Sequence, residues 1–141
     1  MSIQDRIAEV VERFNQHSDQ EDRYKELIKM GKEMPKADES IHRDELLIRG
    51  CQSQVWLDAK LDGDRIYLTT DSDALITRGI VALLTYVYSG ATIDEILSTK
   101  PDFLEEIGIR EHLSMNRSNG LAAMLKQITI YAMAFKAKQS M

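Results

Sequence analysis

The sequence predicts an α+β domain in which several helices pack on one face of a small antiparallel sheet of about three strands. Two observations lead to this class. The apolar residues recur at helical spacing through the first third of the chain, alternate with period two from Val55 to about Thr70, and return to helical spacing afterwards. Inside the alternating stretch, Asp62-Gly63-Asp64 is a hairpin signal, because glycine supplies the positive φ that tight strand-connecting turns demand. With 141 residues, 43% of them hydrophobic, the chain is long enough to build one core, and residues 1–141 are expected to form a single domain.

Ile3, Ile7, Val10, Val11 and Phe14 form one stripe of a first helix, opened by a Ser2–Asp5 capping box. A second box, Ser18 to Glu21, is expected to open a helix carrying Tyr24, Leu27 and Ile28, which fades at Gly31 and stops before Pro35. Pro35 to Glu45 is charged and aperiodic and reads as a loop. Leu46-Leu47-Ile48 is then expected as a short strand, with a turn over Gly50 to Ser53. Val55, Leu57, Ala59 and Leu61 alternate with polar neighbours as a half-buried strand requires, and the return strand runs from Arg65 to about Thr70. Asp71, Ser72 or Asp73 is expected to cap a helix with Ile76, Ile80, Leu83, Leu84 and Val87, apolar on most sides and ended by Gly90. A shorter helix follows the Thr92–Glu95 box. The last helix begins between Ser114 and Ser118, turns Leu121, Met124, Leu125, Ile128, Ala132 and Phe135 inward, and carries Lys136 and Lys138 toward its C-terminal end.

Composition excludes several classes of function. The net charge of -5 argues against a general nucleic-acid or anionic-membrane binder, since those partners attract clustered Lys and Arg. One cysteine makes no internal disulfide and no four-cysteine zinc site, which suits a reducing compartment. The N-terminal residues carry no signal- or transit-peptide pattern, and no stretch approaches the length of an apolar membrane span, so a cytoplasmic protein is expected. The glycines are spread singly, which excludes a phosphate-cradling loop, and no His or Cys pair has metal-ligand spacing; no cofactor and no metal are expected.

The sharpest local feature is Arg49-Gly50-Cys51-Gln52-Ser53-Gln54-Val55-Trp56, which places the only thiol at a turn. A free cysteine usually behaves as a small buried hydrophobe, yet a turn flanked by Gly50, Gln52 and Ser53 is an odd place for a packing residue. Backbone N–H groups there, together with Arg49, would favour the thiolate, which is the nucleophile. A Cys–His hydrolase would need His17, His42 or His112 brought to Cys51 by the fold. Glu105-Glu106 reads as a solvated face. Trp56 and Tyr67 share the face of the hairpin opposite the aliphatic stripe, either as a cross-strand pair under the last helix or as a surface patch.

Four stretches give the chain a family likeness: Gly31-Lys32-Glu33-Met34-Pro35, Gly50 through Leu57 around the thiol, Asp71-Ser72-Asp73-Ala74 with Gly79, and His112-Leu113-Ser114 through Arg117 to Gly120-Leu121. In these the sequence resembles the SufE family of sulfur-acceptor proteins, which work with cysteine desulfurases in iron–sulfur cluster assembly. The likeness runs through nearly the whole chain. It departs at Met115, where a proline is common, and at Leu46-Leu47-Ile48-Arg49, which is less typical before the glycine.

The resemblance implies a SufE/IscU-like fold and a persulfide carrier at Cys51. Its partners would be a pyridoxal-phosphate cysteine desulfurase (SufS-like) as donor and an iron–sulfur scaffold complex (SufBCD-like) as recipient. It also implies a thiol resting in an apolar cavity, which the aliphatic strand residues would line, in a monomer or homodimer without independent turnover. Arg117 is the second candidate, to stabilise a thiolate or anchor a partner carboxylate. Gln52 and Asp73 are candidates for partner contacts. One cysteine suffices for such exchange, whereas holding a cluster takes several protein thiolates. A cysteine hydrolase and a sulfur-independent interaction module are the competing readings.

Overall fold

The computed structural model describes residues 1–109, 113 and 115–141. The first two helices form a pair, α1 (Ile3–Asn15) and α2 (Gln20–Glu33), followed by two 3-10 turns, Glu39–Ile41 and Asp44–Leu46. A hairpin of β1 (Val55–Asp62) and β2 (Arg65–Ser72) leads into α3 (Leu75–Tyr88). After it come β3 (Ala91–Thr92), α4 (Ile93–Ser98), α5 (Phe103–Glu106) and α6 (Met115–Gln139). The sheet is antiparallel in the order β1-β2-β3, so the α+β class holds.

The local signals act where they were expected. The Ser2–Asp5 and Thr92–Glu95 boxes both close, each side chain and backbone N–H satisfying the other. Gly63 takes φ +64° in the turn between Asp62 and its partner Arg65. For α2 the cap is Asp19, not Ser18, and its carboxylate accepts the Glu21 N–H at 2.8 Å. Central α3 buries Ile80, Leu83, Leu84 and Val87 against α1, α2 and β2, and α6 adds Leu121, Met124, Ile128 and Ala132. At the α2–α3 crossing two glycines meet, such that a Cβ built on Gly79 would lie 2.4 Å from the Leu27 carbonyl oxygen.

The third strand differs from expectation. Leu46-Leu47-Ile48 does not form a ladder: Leu46 ends a 3-10 turn and only Leu47 bridges to Trp56. The third strand is instead Ala91–Thr92 on the other side of β2, where Gly90 at φ +85° turns the chain back from α3 and its N–H donates to the Ile66 carbonyl at 2.7 Å. Two residues immediately before a capping box give no period to read.

The stretch after Pro35 is more than a charged loop. Ile41 and Leu46 are buried with Trp56 in a small second core on the face of the sheet away from α3 and α6. Trp56 is cross-strand to Asp71, while Tyr67 is paired with Lys60 and is 46% exposed, so the two aromatics do not pair and Trp56 does not sit under the last helix.

Candidate functional site

The chain enters β1 through a loop whose arms are tied at both ends. Gly50 adopts φ +94°, a conformation glycine reaches without the steric cost other residues meet. The Ile48 N–H donates to the Val55 carbonyl at 2.8 Å, and the Gln54 N–H donates to Asp73 Oδ1 at 3.0 Å, with the Asp73 N–H returning to the Gln54 carbonyl at 3.3 Å. Cys51 is at the tip, half-buried. Its Sγ lies 3.7 Å from the Gly120 carbonyl of α6, and a Cβ on Gly120 would stand 3.4 Å from that sulfur, in ordinary van der Waals contact with it.

The thiol opens onto a cleft of about 370 Å³ with three walls. One is the loop itself, Cys51 to Ser53. The second is the start of α3 from Ala74 to Thr77, with Ile80 a turn further in. The third is one face of α6, where Arg117, Gly120 and Met124 follow at helical spacing. Ala74 gives α3 no side-chain cap, so the first-turn N–H groups on this side have no partner within the helix, and the positive end of the helix dipole points here.

Of the sequence candidates, Cys51, Gln52 and Arg117 line this cleft; Arg117 is exposed at its edge. Asp73 is exposed and does not line it, but its carboxylate fastens the loop through Gln54. The run Asp71-Ser72-Asp73 does not cap α3. Asp71 is a buried strand residue paired with His42 and Arg78, and the cap position is Ala74.

Arg49 and the turn do not lower the thiol's pKa; burial pushes the Cys51 thiol up, holding it protonated at rest. His17 bonds toward Glu26 and His42 toward Asp71, and neither lines the cleft; His112 lies outside the described residues, as do its neighbours Arg110, Glu111 and Ser114. Among the described residues no group of three His, Cys, Asp or Glu side chains is placed to hold a metal.

The cavity walls are also not the aliphatic strand residues. They are Leu75, Ile76, Ile80 and Met124 from two helices, which sequence reasoning missed. Gly120 and Ala74 stood inside the stretches that carried the family likeness, and that was their only signal.

The sequence profile of the SufE family, the Fe–S metabolism associated domain, matches residues 8–132. The chain belongs to the SufE family. A SufE-like protein of Synechocystis sp. is 36% identical over 134 residues, covering 95% of this chain and 84% of that protein. A SufE-like protein of Rhizobium etli is 38% identical over 127 residues, covering 86% of each. SufE-like protein 1 of Arabidopsis thaliana, chloroplastic/mitochondrial, is 34% identical over 134 residues, 94% of this chain but 36% of the longer plant protein. The solution structure of a hypothetical protein from Thermus thermophilus shares the fold, with a TM-score of 0.75 at 19% identity over 92% of this chain and 94% of that one. Family membership supports a sulfur-transfer role in Fe–S metabolism. None of the described helices is long and apolar enough to cross a membrane.

Proposed function

We propose that residues 1–141 act as one SufE-like unit, in a reducing, cytoplasm-like compartment, that accepts sulfane sulfur on Cys51 from a pyridoxal-phosphate cysteine desulfurase, stimulates that enzyme, and delivers the sulfur to an iron–sulfur scaffold complex. The observation that carries this reading is the placement of the single thiol, in a SufE-family chain, at the tip of a glycine-hinged loop beside a cleft.

The transfer follows thiol–disulfide exchange. The Cys51 thiolate attacks the outer sulfur of the donor's persulfide. The S–S bond of the donor breaks, its thiolate leaves with the bonding pair, and a Cys51 persulfide forms, with the oxidation level of the sulfur unchanged overall. The resting thiol is held protonated by burial, so it is a poor nucleophile until the loop turns outward into water or a docked partner and the desolvation is relieved. Turned back, a perthiolate would lie between Arg117 and the start of α3, both of which favour negative charge. Gln52 stands next to the thiol for partner contacts, and Asp73 sets the loop's outer arm.

Replacing Cys51 by Ser tests the role in turnover. Cys51→Ser folds as wild type, and with it alanine formation from cysteine stays at the rate of the desulfurase alone; stimulation equal to wild type would refute the acceptor role and favour an interaction module that works without the thiol.

A further inference from the structure

The buried Asp71 joins four parts of the molecule at the base of the Cys51 loop. His42, from the segment between the two 3-10 turns, brings its Nε2 to 2.7 Å from Asp71 Oδ2, and its ring lies 4.2 Å from that of Trp56. Trp56 is the cross-strand partner of Asp71. From the opposite layer, Arg78 of α3 donates to the other carboxylate oxygen, while its Nε donates to the Gly31 carbonyl of α2 at 3.0 Å. An ionised carboxylate only accepts hydrogen bonds, so the His42 bond requires the proton on Nε2.

The two arms of the thiol-bearing loop are tied close to the residues that His42 touches, the incoming arm at Trp56 and the outgoing arm at Asp73, two residues beyond Asp71. On the incoming side, Leu47 bridges to Trp56 and the Ile48 N–H bonds to the Val55 carbonyl. On the outgoing side, Asp71 leads directly to Asp73, which fastens Gln54, and to Ala74, where the second wall of the cleft begins. Arg78 holds the other oxygen of Asp71 from the helix layer, and 38% of the His42 side chain is open to solvent, which makes the His42 bond the accessible half of the network.

We propose that His42 is a positioning residue for Cys51: by donating to Asp71 it holds the loop in the state that turns the thiol toward the cleft. The inference rests on reading Cys51 as the sulfur acceptor, since it assigns His42 control over when that thiol is presented. Its test needs no sulfur donor. Cys51 is the only cysteine, so alkylation by iodoacetamide reports on this loop alone.

At fixed pH, His42→Ala raises the alkylation rate about tenfold, which corresponds to about 1.4 kcal/mol in the loop-opening equilibrium. His42→Gln retains an N–H for Asp71 and stays within about threefold of wild type, a rescue expected of the bond and not of bulk. Leu46→Ala trims the apolar cover over the same Trp56 without touching the bond; it lowers thermal stability and leaves the rate within the same range. A change below about threefold in His42→Ala, or equal acceleration in Leu46→Ala or His42→Gln, overturns the proposal. Either result leaves the sulfur-acceptor reading to be decided by persulfide formation on the wild-type chain, so the two fail separately.

Discussion

The α2–α3 crossing makes a quantitative prediction, because the cleft's second wall is the first turn of α3 and its position depends on how closely that helix approaches α2. In Gly79→Ala the new Cβ would lie 2.4 Å from the Leu27 carbonyl oxygen and 2.9 Å from Leu27 Cγ. A carbon–oxygen contact relaxes to about 3.3 Å, so the helices must part by about 0.9 Å. The oxygen belongs to the backbone and cannot rotate away, which puts the cost at the upper end of about 1–3 kcal/mol for overpacking. Alanine returns about 1 kcal/mol of helix preference over glycine, leaving about 2 kcal/mol of net destabilisation. With a urea slope of about 1–3 kcal/mol/M, the midpoint falls by about 1 M at unchanged slope. Urea denaturation followed by circular dichroism measures this, and a midpoint equal to or above wild type would refute the close crossing.

Two pH dependences follow. Asp71 titrates below the usual aspartate value: burial alone would raise it, but the His42 hydrogen bond, the Ser72 backbone and the Arg78 charge together outweigh burial. Its contribution to stability is therefore full above the unfolded value near 3.9 and is lost as pH falls through the lower folded value; acid titration of Asp71→Asn shows a shallower loss of stability in that window than wild type, and identical curves would contradict the pairing. Burial raises the Cys51 thiol, so its contribution is present below the unfolded value near 8.5 and is lost as pH rises through the folded one. The alkylation rate of the native chain then has a midpoint above that value, and one below pH 8 would contradict the buried resting state.

Much of this was legible because the signals are local. A capping box needs only Ser2 and Asp5, or Thr92 and Glu95, within one turn, and the hairpin needs only Gly63 between alternating strands. Cys51 stood out from its own neighbours. What was misread depends on distant pairing. Asp71 looks like any acid before a helix, and only the β1–β2 register and the arrival of His42 and Arg78 make it a buried ion-pair residue. The first-strand expectation at Leu46–Ile48 followed apolar composition, yet Leu46 and Leu47 serve the cover over Trp56 instead of a ladder. The cleft walls were invisible for the same reason, since Leu75 and Met124 meet only when α3 and α6 are brought to the loop.

The proposed transfer of sulfur to Cys51 is read out by intact-mass analysis of residues 1–141 after incubation with a cysteine desulfurase and cysteine. The expected result is a gain of one sulfur atom that maps to Cys51, is removed by a thiol reductant and is absent from Cys51→Ser. No gain on the wild-type chain, or a gain that survives the substitution, would contradict it.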